Sequence, residues 1–117
     1  MAGISFAEGA DCVWIVSGWA FRQVLEDLRL STAGDRSILE EIDNAGHLGF
    51  LHVDFLPEPL RVKMSAAIEH LCWGILGGSI RSGVEQAFSD IETRQAYLEG
   101  IQSLLAAVQA AKPPEPA

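Results

Sequence analysis

The chain has 117 residues, 49% of them hydrophobic, and a net charge of −8 from 16 acidic and 8 basic side chains. That is the length of one domain, with ample apolar content for a core. A charge this negative argues against a nucleic-acid binder, which needs cations to displace counterions from phosphate, and against docking on anionic lipid. It suits a basic protein partner, whose approach an acidic surface would steer.

Segment A is expected to be a helix from about Phe6 to Leu30. Ser5 and Glu8 have capping-box spacing, and Trp14, Phe21, Leu25 and Leu28 fall on one helical face. Val13, Val16, Ala20 and Val24 supply a second face, so the helix belongs at the centre of the domain. Glu26, Asp27 and Arg29 mark its wetter end. A short strand at Gly3–Ala7 is the weaker option for the start. Glu8 and Asp11 precede the apolar run Cys12–Phe21, which has ten residues and ends at Arg22. This is the reverse of a secretory leader and too short to span a bilayer, so the expected compartment is the cytoplasm.

Ser31–Gly34 reads as a turn. Segment B follows from about Asp35 to Asn44, capped by Asp35 or Ser37, with Ile38, Leu39 and Ile42 as its apolar stripe. Asn44–Gly46 is expected to end it. The stretch from His47 to Leu56, HLGFLHVDFL, alternates Leu51, Val53 and Phe55 with His52 and Asp54. This is a strand pattern. Gly3–Ala7 is its one prospective partner; otherwise the stretch is an extended segment or a short helix.

Segment C, about Pro59 to Leu76, opens with proline at the first helical position. Its core stripe runs through Leu60, Met64, Ala67, Ile68, Leu71, Cys72 and Ile75, with Trp73 placed in the core as well. Segment D, about Gly83 to Ala111, repeats Val84, Phe88, Ile91, Leu98, Ile101, Leu105 and Val108 at helical steps. The expected architecture is all-α, a bundle of about four helices over residues 1–111, followed by a loose proline-rich tail over 112–117.

Between C and D lies GILGGSIRSG, residues 74–83. A phosphate loop of the Walker type needs a lysine, and this stretch has none. A dinucleotide loop needs a different glycine spacing after a strand. The stretch is therefore read as a connector. Gly77 and Gly78 end segment C in the left-handed conformation, and Ser82 with Glu85 caps segment D. Arg81 stays as an exposed cation.

His47, His52 and Asp54, with His70 further on, are weighed as a metal site, but such sites need a rigid scaffold that an all-helical reading does not supply. No metal or other cofactor is expected. Cys12 and Cys72 are far apart, without metal-ligand spacing or charged activators, and are read as small buried hydrophobes. No nucleophile motif is present, and enzymatic activity is not expected. Trp19 lies about 140° around segment A from Trp14, off a single core face. Either A has a second buried face, or Trp19 joins Phe50 as an interface anchor.

These readings converge on a small acidic protein that acts by binding, most concretely an inhibitor or bacterial immunity-type protein that neutralises a basic partner such as a toxin. Glu40, Glu41, Asp43, Asp90 and Glu92 would supply the charge, and Trp19 and Phe50 the anchors. A homo-oligomeric, chaperone-like adaptor built on segment D is the alternative, and a small enzyme the third.

Overall fold

In the computed structural model, which describes residues 2–112, Ala2–Ser5 form strand β1 and Val13–Val16 form β2, joined by a loop ending in a 3-10 turn at Ala10–Cys12. Phe50–His52 form β3. The order is β2-β1-β3, with β1 antiparallel to β2 and parallel to β3. The chain is mostly helical, as expected, but an all-α reading leaves out this sheet. The weaker option, an initial strand partnered by the 47–56 stretch, is the arrangement found. The proline-rich tail past Lys112 lies outside the described residues.

Segment A is half strand because its apolar run is continuous. A run of this kind fits a helix buried all round and a buried strand equally well. Gly9 turns the chain at φ 107°, and β-branched Val13, Ile15 and Val16 favour extended backbone. Ser5 is then a strand residue, so the Ser5–Glu8 capping box does not form. Helix α1 starts only at Gly18 and runs to Ser31.

Helix α2, Arg36–Leu48, is capped by Asp35, whose carboxylate accepts from the Ile38 N–H. An ion pair with Lys63 at 2.8 Å, hydrogen bonds from Lys63 and Ser37, and that backbone contact hold the Asp35 carboxyl down at about 2. The helix runs past Asn44–Gly46 and stops at Gly49, whose left-handed φ of 77° aims the chain into β3.

Helix α3, Glu58–Gly77, follows Pro57 and has Pro59 in its first turn. Gly78 ends it at φ 82°. Ile80 then folds back on the helix, its N–H donating to the Gly74 carbonyl at 2.9 Å. A Cβ on Gly74 would collide with the Ile80 side chain, so a glycine there admits the fold-back. Segment D is two helices. After α4, Val84–Ala87, Phe88 is extended, and Asp90 caps a new start by accepting from the Thr93 N–H at 2.9 Å. Helix α5 then spans Ile91–Ala110.

Sheet pairing sorts the strands into two faces. Ala2, Ile4, Trp14 and Leu51 point inward and are all buried. They meet a core that includes Phe21, Val24 and Leu28 of α1, Met64, Ile68 and Leu71 of α3, and Ile101 and Leu104 of α5. Helices α3 and α5 pack together, and α5 also covers β2, where the Trp14 indole N–H donates to the Gly100 carbonyl at 3.0 Å. Trp73 is no core residue: it is 56% exposed on α3.

Candidate functional site

The outward face of the sheet has a composition unlike a solvated surface. Gly3 and Ser5 of β1 lie in the middle, flanked by Val13 and Ile15 on β2 and by Phe50 and His52 on β3. Because Gly3 has no side chain, Ile15 and Phe50 close over it from both sides; a Cβ there would meet both at 3.0 Å. Ile15 is nevertheless 47% exposed.

A ladder of rings continues from this face. His52 lies 4.6 Å from Phe50 and 4.8 Å from Phe55, stacked nearly parallel on the latter. Phe55 is 78% exposed. The strand pattern assigned Phe55 to the face of Leu51, but the strand ends at His52 and Val53–Phe55 turn as a 3-10 helix, which carries Phe55 round to His52. Since β1 and β3 are parallel, the β1–β2 loop and this turn meet at one end of the sheet. That end carries Glu8, Asp11 and Asp54. One oxygen of Asp54, Oδ1, is buried without a hydrogen-bond partner among the described residues.

The residues assigned to binding divide. Phe50 belongs to this face. Trp19 faces inward, half-buried, with its ring 5.2 Å edge-on from Phe88 and 6.4 Å from Tyr97. Glu40 and Glu41 lie on α2, which packs on α1 and α3, whereas Asp90 and Glu92 open α5, which packs on α3 and β2. Asp43 is paired with Arg29, and Asp90 is engaged as a helix cap, its carboxyl lowered by the Thr93 hydrogen bonds. Arg81 pairs with Glu85 at 2.8 Å, so Glu85 completes no capping box with Ser82.

The candidate metal residues are dispersed. His47 is exposed at the end of α2, His52 is in the ring ladder, and His70 is exposed on α3. Among the described residues no group of three or more His, Cys, Asp or Glu side chains is arranged to hold a metal ion.

A buried polar centre went unread in the sequence. Asp27 was placed at the wet end of segment A, yet it is 3% exposed. Its Oδ1 accepts from Gln23 Nε2 at 3.1 Å and the Gly83 N–H at 2.9 Å; its Oδ2 accepts from Ser82 Oγ at 2.5 Å and Tyr97 Oη at 2.7 Å. Ser82 Oγ in turn accepts from the Val84 N–H at 3.1 Å. Burial first, then the Asp27 charge, pushes the Tyr97 phenol far above its ordinary range. This centre resembles a catalytic relay only in residue types. Ser82 and Tyr97 are both buried and both donate to Asp27, whose two oxygens each accept two hydrogen bonds, which leaves no free base. It is a clamp that ties the 78–83 connector and α5 to α1. The four-residue spacing of Gln23 and Asp27 was the available signal, since it puts both on one helix face.

Cys72 is fully buried, and burial pushes its thiol up to about 12, with the Glu69 charge adding to this. Cys12 is half-buried in the 3-10 turn rather than in a helix. With an aromatic disulfide reagent on the native protein at pH 8, Cys12 is expected to react first and Cys72 only on unfolding. Two equally fast thiols would contradict this packing.

No helix among the described residues is long and apolar enough to cross a membrane. Comparison with protein-family models, with curated proteins and with solved structures returns no significant match. The arrangement defines a class of object: a mostly helical domain whose small mixed sheet turns one apolar, ring-bearing face outward.

Proposed function

We propose that this protein is a non-enzymatic binding module that engages a basic protein through the outward face of its sheet. The observation that carries the reading is the continuous row of Ile15, Phe50, His52 and Phe55 beside the acidic end formed by Glu8, Asp11 and Asp54. Exposed aromatic and aliphatic side chains on a rigid sheet make good anchors, and a rim of carboxylates selects a cationic partner. Phenyl faces also attract arginine and lysine. In its most concrete form the module is an inhibitor, of the immunity type, that occupies a basic functional surface and neutralises it. The acidic side chains of α2 and α5, Glu40, Glu41 and Glu92, then steer approach from a distance rather than touch the partner.

The test is an affinity capture from native lysate at low and high salt, run in parallel with the wild type and with Phe50→Ser/Phe55→Ser. A basic protein held one-to-one by the wild type, released by salt and reduced at least tenfold with the double variant supports the reading. Identical recoveries from both proteins overturn it. A second reading, a homo-oligomeric adaptor, draws on α5, where Ile91 is 72% and Leu98 39% exposed seven residues apart. In that case light scattering on the purified protein gives a dimer that Leu98→Glu splits.

A further inference from the structure

The C-terminal turn of α5, the first half of α3 and Phe6 enclose a cleft of about 330 Å³. Its floor is apolar, formed by Phe6 and Val108, 5% and 2% exposed, with Ala66 and Ala111 beside them. Its mouth is polar. Arg61, Ser65 and Glu69 follow one another at four-residue steps of α3, and Lys112 reaches across from the end of α5. Lys112 is already committed, 2.7 Å from Glu69. The Arg61 guanidinium is in no ion pair and no side-chain hydrogen bond among the described residues. Two cations against one carboxylate leave the mouth at +1, on a chain whose net charge is −8.

We propose that this cleft binds a small monocarboxylate with an apolar chain of about six to eight carbons, a size in keeping with pockets of this volume. The Arg61 fork receives the two carboxylate oxygens side by side, the geometry guanidinium recognises best. Ser65 lies one turn further along the same face as a hydroxyl donor. The alkyl chain lies on Phe6, Ala66 and Val108, which removes it from water. The fixed negative charge of Glu69 at the mouth selects against a dianion, so a carboxylate is preferred over a phosphate monoester with the same chain. The site shares no residue with the outward face of the sheet, so it stands or falls separately from the binding-module reading.

The experiment is a two-dimensional amide NMR titration of the intact protein with sodium octanoate, octyl phosphate and sodium butyrate. Octanoate is expected to give saturable shifts at Phe6, Ser65, Val108 and Ala111 with a Kd below about 1 mM. Octyl phosphate and butyrate should each bind at least fivefold more weakly, the first for its charge and the second for its short chain. Arg61→Gln should weaken octanoate at least tenfold, and Ala66→Trp, which fills the cleft from an exposed helix position, should abolish the shifts. A thermal melt of each variant shows whether it is folded. The proposal is overturned if octanoate produces no saturable shift at 5 mM, which is about five times that bound. Shifts that both folded variants leave unchanged overturn it too, as does binding of octyl phosphate equal to that of octanoate.

Discussion

Replacing Asp27 by alanine should lower the stability of the fold by about 3–5 kcal/mol, measured by urea denaturation with tryptophan fluorescence. The side chain accepts four hydrogen bonds in a place water does not reach. Its removal strands Tyr97 Oη, Ser82 Oγ and the Gly83 N–H together, and each stranded buried donor costs about 1–3 kcal/mol. Against a typical total of about 5–15 kcal/mol this is a large fraction. Asp27→Asn, of equal size, should cost less than the alanine: its oxygen can keep the Gln23 and Gly83 donors, while its NH2 faces the Ser82 and Tyr97 hydroxyls, which must turn to accept. Tyr97→Phe, which keeps the ring, should lose only about 1–2 kcal/mol, and the two substitutions should not add, since they remove one shared network.

Tyr97 is the one tyrosine in the chain, so the tyrosinate absorbance gained near 295 nm over the background of the three tryptophans belongs to its phenol. Its ionisation is raised in the folded state and ordinary in the unfolded one. The stability linked to it is therefore fully present below about pH 10 and lost as pH rises beyond that. The expected trace is flat through pH 10, with tyrosinate appearing only in the same step as unfolding by circular dichroism. Tyrosinate formed gradually near pH 10 with the helix signal intact would show that the clamp is open. A loss below 1 kcal/mol for Asp27→Ala would mean the same.

Gly3→Val is expected to cost about 3 kcal/mol or more, and to unfold the protein if the total is near the low end of the usual range. Gly3 sits in the central strand, and a Cβ there would press on the Trp14 carbonyl oxygen as well as on Ile15 and Phe50. The side chains could swing aside, but a backbone oxygen in a paired neighbour strand cannot move without breaking the ladder. Gly3→Ala should show the same effect in reduced form, because it carries the same Cβ without the branch. If Gly3→Val keeps wild-type stability by denaturant titration, the β1–β2 register is wrong, and with it the juxtaposition of Ile15 and Phe50 that builds the candidate surface.

Helices whose apolar residues recur on one stripe and whose ends carry local caps were legible in the chain. Asp35 and Ile38 mark α2, Pro59 and the glycine pair at 77–78 mark α3, and Ile101, Leu105 and Val108 trace α5. Local chemistry also sufficed to read GILGGSIRSG as the turn between helices, with Gly78 ending α3, although Ser82 and Gly83 go on to bind Asp27 of α1, which no local signal showed. The break between α4 and α5 was locally encoded too, in the Asp90 cap, but the apolar steps running across it masked the signal.

What tertiary structure alone decided was how continuous apolar runs and isolated polar residues were used. The run Cys12–Phe21 became strand and then helix because β1 offered β2 a partner across a short loop, and the continuous apolar run masked that pairing. Asp27 looks like any helix-surface acid until Tyr97, seventy positions later, and Ser82 close over it. Trp73, read as core, is exposed, and Trp19 takes the buried one of its two readings, for the same reason: burial depends on which helix arrives opposite, and one chain's periodicity cannot state that. The outward sheet face is the extreme case. Ile15 comes from one stretch and Phe50 and Phe55 from another, and only the order β2-β1-β3 and the turn after β3 make them one surface.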